Sequence, residues 1–265
     1  MRIDVYLTQK GFCESRNKAS KLIDGGFVSV DGRVVLKPSE DIFEDIEHNV
    51  EISQHKDYVG RGSLKLLHAL EAFKVDVENK RVIDIGASTG GFTQVLLSYG
   101  ASEVVAVDSG RGQLHESLLN DKRVTNIEGY NARKLKREEF GVFDGAVMDV
   151  SFISQTLIIP SMSDLIDEGG FFISLVKPQF EAGRSAVGKN GIVKKPQDRE
   201  NSILRVCECA AACGLSLEGI ERSPIEGGDG NIEYLAFFVK KPIGENGISK
   251  FKAKIHYLSL EKNHA

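Results

Sequence analysis

A small α+β unit followed by a larger α/β domain is the fold class that the sequence predicts. Apolar runs at Val82–Ile85, Val104–Val107, Gly145–Val150, Phe171–Val176 and Tyr234–Val239 alternate with helical segments, the pattern of a parallel sheet wound with helices. Ahead of them, the first 59 residues hold two short helical stretches and a hairpin signal. A chain of 265 residues accommodates two unequal domains.

Taken in order, Ser15 precedes RNKASKLIDGG, where Ala19, Leu22 and Ile23 share one helical face and Gly25-Gly26 end the helix. Phe27, Val28 and Val30 then enter a tight Asp31-Gly32 turn, and Val34 and Val35 return as the second arm. These elements make residues 1–59 one unit. The polar, glycine-bearing stretch that follows reads as a linker over 60–66. The larger domain is expected over 67–242, and the polar tail 243–265 gives no clear secondary structure.

The formal net charge of −4 does not mark the whole chain as a nucleic-acid binder, so any basic surface is local. Residues 1–37 carry an excess of +3, whereas residues 38–60 carry −6. Cys13, Cys207, Cys209 and Cys213 lack zinc-type spacing and read as reduced thiols, so no metal is expected. There is no secretory leader pattern and no apolar run of membrane length, which together predict a cytoplasmic protein with no membrane partner.

The strand VIDIG runs directly into ASTGGF and then the amphipathic TQVLLSYG. A glycine-rich turn between a buried strand and a helix brings a ligand against backbone N–H groups. The next strand ends at Asp108, where an acid can accept hydrogen bonds from ribose hydroxyls. A dinucleotide fingerprint needs glycine at the central position, and here Ser88 would crowd a pyrophosphate. S-adenosylmethionine (SAM) carries no phosphate, so these residues favour SAM over a nicotinamide cofactor; a glycine turn that serves packing is the alternative.

Four polar residues fall at strand ends or at the linker. Asp149 ends GAVMDVSF, Lys177 ends FFISLVKPQF, Glu233 starts a strand, and Lys65 follows the linker glycines. Carboxyl ends of parallel strands form the ligand crevice in such sheets, so Asp149 and Lys177 should meet there. A hydroxyl becomes a good nucleophile only when its proton is taken, which a protonated lysine cannot do. Lys65 close to Lys177, with partial desolvation, would favour the neutral amine, and Asp149 and Glu233 would orient it. Surface ion pairs are the alternative reading of the same four residues.

These residues carry a resemblance. RGSLKL around Lys65, VIDIGASTGGF, VDSGRGQL, MDVSFIS, LVKPQFE and GNIEYL together resemble the ribose 2′-O-methyltransferases with a Lys-Asp-Lys-Glu tetrad, and residues 1 to 240 resemble the TlyA family, whose haemolysin-named members include ribosomal RNA methyltransferases. The resemblance implies a Rossmann-like class I SAM-dependent methyltransferase sheet of the FtsJ type. It maps Lys65, Asp149, Lys177 and Glu233 onto the tetrad with Lys177 as the base, and Gly86, Ser88, Gly90, Gly91, Phe92 and Asp108 onto the SAM site. Ser63 departs from the second glycine expected after Arg61-Gly62.

RID, SRNKA, LIDGGFVSVDG and KPS make the first unit similar to the RNA-binding domain of the fourth small-subunit ribosomal protein. That likeness implies that Arg2, Arg16, Lys18 and Lys21 face RNA backbone; solvated helix charges are the alternative. The loop after Lys177 adds Arg184 and Lys189 and reads as a mobile lid over RNA phosphates. The implied partner is ribosomal RNA or a ribosomal subunit, and the implied activity is rRNA methylation at a ribose 2′-hydroxyl. Three rivals share parts of this sequence: an RNA-binding ribosome-assembly factor, a dehydrogenase and a membrane-active haemolysin. The first gives the four polar residues no task, the second gives the two lysines none, and the third lacks a membrane-length apolar run.

Overall fold

The computed structural model describes the chain apart from residues 25, 36, 44–45, 53–57, 228–229, 243–246 and 263–265, and apart from the side chains of residues 21 and 24. The described chain divides into two compact units, Met1–Leu64 and Lys65–Ala265.

In the first unit, helix α1 (Ile3–Gln9) is followed by α2 (Arg16–Asp24), whose start is capped by the Ser15 hydroxyl accepting from the Lys18 N–H at 3.2 Å. Strands β1 (Val28–Val30) and β2 (Arg33–Val34) form the expected hairpin. Asp31 and Gly32 both take positive φ, as a two-residue turn between twisted strands requires. The other edge of β1 pairs with β3 (Val50–Ile52), a third strand without a sequence signal of its own. Ile3, Leu7, Ala19, Ile23 and Val28 form the core.

Helix α3 (Gly62–Phe73) starts inside the stretch expected to be a linker. Ser63, which replaces the expected glycine, is fully buried and donates its hydroxyl to the Gly60 carbonyl at 2.7 Å. The larger unit continues with β4 (Arg81–Ile85), α4 (Gly91–Ser98), β5 (Glu103–Asp108), α5 (Glu116–Leu119), β6 (Val124–Glu128), α6 (Arg137–Phe140), β7 (Phe143–Met148), α7 (Ile159–Ser163), β8 (Ile166–Val176), α8 (Pro178–Glu181), α9 (Pro196–Ala212), β9 (Leu215–Arg222), β10 (Tyr234–Lys240) and α10 (Ile248–Leu260). Its seven strands lie in the order β6-β5-β4-β7-β8-β10-β9.

The sheet is mixed rather than parallel throughout, because β10 runs antiparallel to both β8 and β9. That reversal positions the site. Tyr234 is paired with Val176, so a residue just before β10 lies beside a residue just after β8. The tail, which gave no clear secondary-structure signal, contains α10, with Ile255 and Leu258 in the core. The buried Arg199 guanidinium holds it by donating to the carbonyls of Ser259 and Glu261, and also to those of Val193 and Lys194. All four cysteines are free thiols.

Candidate active site

The turn after β4 is built around a close approach. Gly86 has φ +84, and a Cβ there would stand 2.5 Å from the Asp149 carbonyl oxygen, so only glycine fits. The Asp149 N–H in turn donates to the Ile85 carbonyl at 3.0 Å. A cavity of about 460 Å³ opens beside this turn, walled by Gly86, Ser88, Asp108, Tyr130, Asn131 and Asp149 among others. Asp108 accepts the Ser88 N–H at 2.8 Å and the Gly110 N–H at 2.7 Å.

Three of the six expected cofactor residues, Gly86, Ser88 and Asp108, line this cavity, and three do not. Gly90 takes φ +95 and has no room for a Cβ against Leu118, so it serves packing and the entry into α4. Gly91 and Phe92 are buried in the first turn of that helix. The sequence could not separate Gly86 and Ser88 from Gly90, Gly91 and Phe92, because these five fall in one strand-turn-helix signal.

Among the described residues no Lys or Arg side chain lines the cavity, while Asp108 and Asp149 do. Asp84, fully buried beneath the turn, adds a third carboxylate. Burial above all pushes its carboxyl up to about 7, and the charges of Asp149 and Asp108 push the same way against the opposing Thr93 hydrogen bond. Its Oδ1 has no hydrogen-bond partner. Such a wall repels phosphates and suits a cationic, phosphate-free group such as SAM, with Asp108 available to ribose hydroxyls.

Asp149 and Lys177 meet as expected, at 2.5 Å. Their strands β7 and β8 are neighbours with Met148 opposite Ser174. The contact to Asp149 is one of charge, and the ammonium's hydrogen bond goes to the Ser151 hydroxyl at 3.0 Å. Pro178 follows as the first residue of α8, where a missing N–H costs nothing. Lys65, in the first turn of α3, donates to Glu233 at 2.5 Å. Both lysines are buried, at 8% exposure, and Glu233 at 2%.

Each lysine faces its own carboxylate, Lys65 that of Glu233 and Lys177 that of Asp149. Gln179, two residues after Lys177 in the chain, donates to Glu233 at 3.4 Å. Partners 168 residues apart, as Lys65 and Glu233 are, leave no local trace in the sequence.

Several residues at the site were not singled out from the sequence, although Ser151 and Phe152 lie in MDVSFIS. Phe152 holds φ +62, is 93% exposed, and lies with its ring 5.2 Å from that of Phe180. Ser151, Asn131 and Tyr130 line the cavity beside it. Arg184 and Lys189 are exposed on the loop after α8. That loop is tied at its far end, where Asn231 accepts the Val193 N–H at 3.0 Å and donates to the Gly191 carbonyl at 2.9 Å.

The expected RNA contacts of the first unit are already partly engaged within it. Arg2 and Arg16 converge on the buried Asp4 at 3.0 and 2.9 Å, and each stays about half exposed. Lys18 pairs with Glu14 across one helical turn at 3.2 Å. The Lys21 side chain lies outside the described residues.

An FtsJ-like methyltransferase family model matches residues 58–240, and an S4 domain matches residues 1–42. The 16S/23S rRNA (cytidine-2′-O)-methyltransferase TlyA of Mycobacterium tuberculosis is 42% identical over 234 residues, 88% of this chain and 87% of that one. Hemolysin A of Brachyspira hyodysenteriae is 42% identical over 241 residues, 90% of this chain and 100% of that one. A solved structure from Streptococcus thermophilus, described as a hemolysin, superposes with a TM-score of 0.74 at 40% identity, covering 98% of this chain and 95% of that one. The chain therefore belongs to the FtsJ-like methyltransferases, in the TlyA family, with an S4 domain ahead of the methyltransferase domain.

Proposed function

We propose that this protein is a SAM-dependent methyltransferase that modifies a ribose 2′-hydroxyl of ribosomal RNA. The observation that carries the reading is the cavity wall of two carboxylates and, among the described residues, no lysine or arginine, directly beside a buried lysine held by Asp149 and Ser151. A dehydrogenase needs donors for a pyrophosphate at that wall. The M. tuberculosis relative is named for a cytidine-2′-O activity, which points to the same hydroxyl.

Gly86, Ser88 and Asp108 would hold SAM, which when bound supplies an electrophilic methyl group. The chain's own task is to align a hydroxyl and manage one proton. Lys177 is the proton acceptor, and its ammonium first sheds a proton to Asp149 or solvent. Ser151 fixes the amine's direction, and the Lys65–Glu233 pair walls the other side. The exposed Phe152 ring offers a stacking face for a base at the cavity mouth. Residues 1–59 dock RNA through Lys18, Lys21 and the free faces of Arg2 and Arg16, and Arg184 and Lys189 meet phosphates beside the site. The protein acts in the cytoplasm, where ribosomal RNA is found; among the described residues no helix is long and apolar enough to cross a membrane.

Two measurements test this reading. Calorimetry should give SAM binding that NAD does not match, and methyl-ribose mapping of rRNA from cells with and without the protein should differ at discrete cytidines. Tighter binding of NAD, or identical maps, would overturn it.

A further inference from the structure

Behind the site, a buried carboxylate joins the two segments that carry the reacting residues. The loop leaving β7 presents Asp149 and Ser151 to Lys177, and Phe152 in a left-handed conformation that a bulky residue adopts only when its surroundings hold it. At the loop's far end, the Ser154 hydroxyl donates to Glu181 Oε2 at 2.5 Å and the Gln155 N–H donates to Glu181 Oε1 at 2.8 Å. The Gln155 side chain turns inward, donating to the Leu175 carbonyl at 2.5 Å and accepting from the Ser174 hydroxyl on β8. Glu181 closes α8, the short helix that begins directly after Lys177.

Glu181 is only 2% exposed, and burial pushes its carboxyl above the usual range against the opposing Ser154 and Gln155 bonds and the Arg205 charge. Arg205 donates to the backbone carbonyl of Glu181, not to its carboxylate. A carboxylate without a bonded cation is a costly way to fill space. What it offers over an amide is acceptance on both oxygens at once, one for each end of the bridge.

We infer that Glu181 is a positioning residue whose two-point bridge to Ser154 and Gln155 sets the spacing between the Asp149–Ser151 loop and Lys177. The inference rests on the methyl-transfer reading above. Lys177 touches Asp149 and Ser151. Altering the loop therefore changes both how the amine is aimed and how readily it loses its proton.

The test is single-turnover methylation of ribosomal RNA by the full chain across pH, with melting and SAM binding measured in parallel. Glu181→Ala should lose about tenfold or more in rate, because small misplacements of reacting groups are costly. Its pH–rate midpoint should also move by roughly half a unit or more, since the amine's neighbours have moved. Glu181→Gln, with Ser154 free to rotate and accept from the amide, should return to within about threefold of wild type. Ser154→Ala, which removes one of the two bonds, should fall between these variants.

A folded Glu181→Ala variant with the wild-type rate would overturn the inference. So would a rate loss at an unmoved midpoint, which marks a scaffold residue only. If Glu181→Ala does not fold, Ser154→Ala decides by the same midpoint: a shift supports the bridge and a wild-type midpoint overturns it. A wild-type chain that transfers no methyl group overturns the function itself, and an active wild type with normal variants overturns the bridge alone.

Discussion

Asp4 in the first unit and Asp84 in the second are both inside the protein, at 2% and 0% exposure, yet only the first has cations to meet it. Burial alone would raise the Asp4 carboxyl, but the guanidiniums of Arg2 and Arg16 outweigh it and hold the group below the usual carboxylate range. Asp84 receives one hydroxyl, keeps an orphaned oxygen, and stands near two further carboxylates. The first unit uses its charge to build the fold, even at the expense of two arginines that could face RNA. The second pairs Asp149 with Lys177 but gives Asp84 no cation beneath the cavity, where a cationic ligand would favour its charged form.

This difference predicts opposite pH dependence. The raised Asp84 carboxyl makes the folded state hold the proton more tightly than the unfolded one, so its penalty grows as pH rises from about 4 to about 7. At about pH 8 that penalty is on the order of 4 kcal/mol, from a value near 7 against 3.8. Asp84→Asn should therefore flatten the fall in melting temperature of the larger unit over this range; a variant with the wild-type slope would remove Asp84 from the comparison.

The lowered Asp4 carboxyl works the other way, contributing stability above its unfolded pKa that is lost as pH falls through the folded one. Asp4→Asn leaves two guanidiniums short of their partner and should destabilise the first unit by about 1–3 kcal/mol at neutral pH. Limited proteolysis of residues 1–64 against pH reads this directly, and an equally resistant variant would show that the arginines do not need Asp4.

At the cavity wall, Asp108→Ala should weaken SAM binding by about 1–3 kcal/mol, because it leaves ribose hydroxyls unpaired. Unchanged affinity in calorimetry would move the ribose away from Asp108. The smallest effect belongs to Lys18, whose partner Glu14 is exposed. Lys18→Gln should reduce the salt slope of RNA binding by about 0.7–0.9 without loss of stability. Arg16 is a poor choice for that test, since its removal also uncovers Asp4.

How much of this was legible in the sequence follows from how local each signal is. Asp149 and Lys177 could be placed together because both end apolar runs of adjacent strands. The strand Val124–Glu128 escaped notice because it is an edge strand with no fully buried residue, and so has no apolar run. Leu215–Arg222 and the antiparallel course of β10 depend on pairing between distant segments. The assignment of Lys65 to Glu233 depends on it too. Phe152 and Glu181 lie within MDVSFIS and LVKPQFE but were not singled out, since neither a positive φ on phenylalanine nor a buried carboxylate bound by a serine and a backbone N–H has a sequence pattern of its own.

The proposed chemistry turns on Lys177 taking the proton of a ribose hydroxyl. Lys177→Arg keeps the charge facing Asp149 but supplies a guanidinium that does not deprotonate. In single-turnover methylation of ribosomal RNA, this variant should bind SAM and RNA near-normally yet react about 100-fold or more slowly. A Lys177→Arg variant that methylates at close to the wild-type rate would contradict it and leave the lysine as an electrostatic clamp.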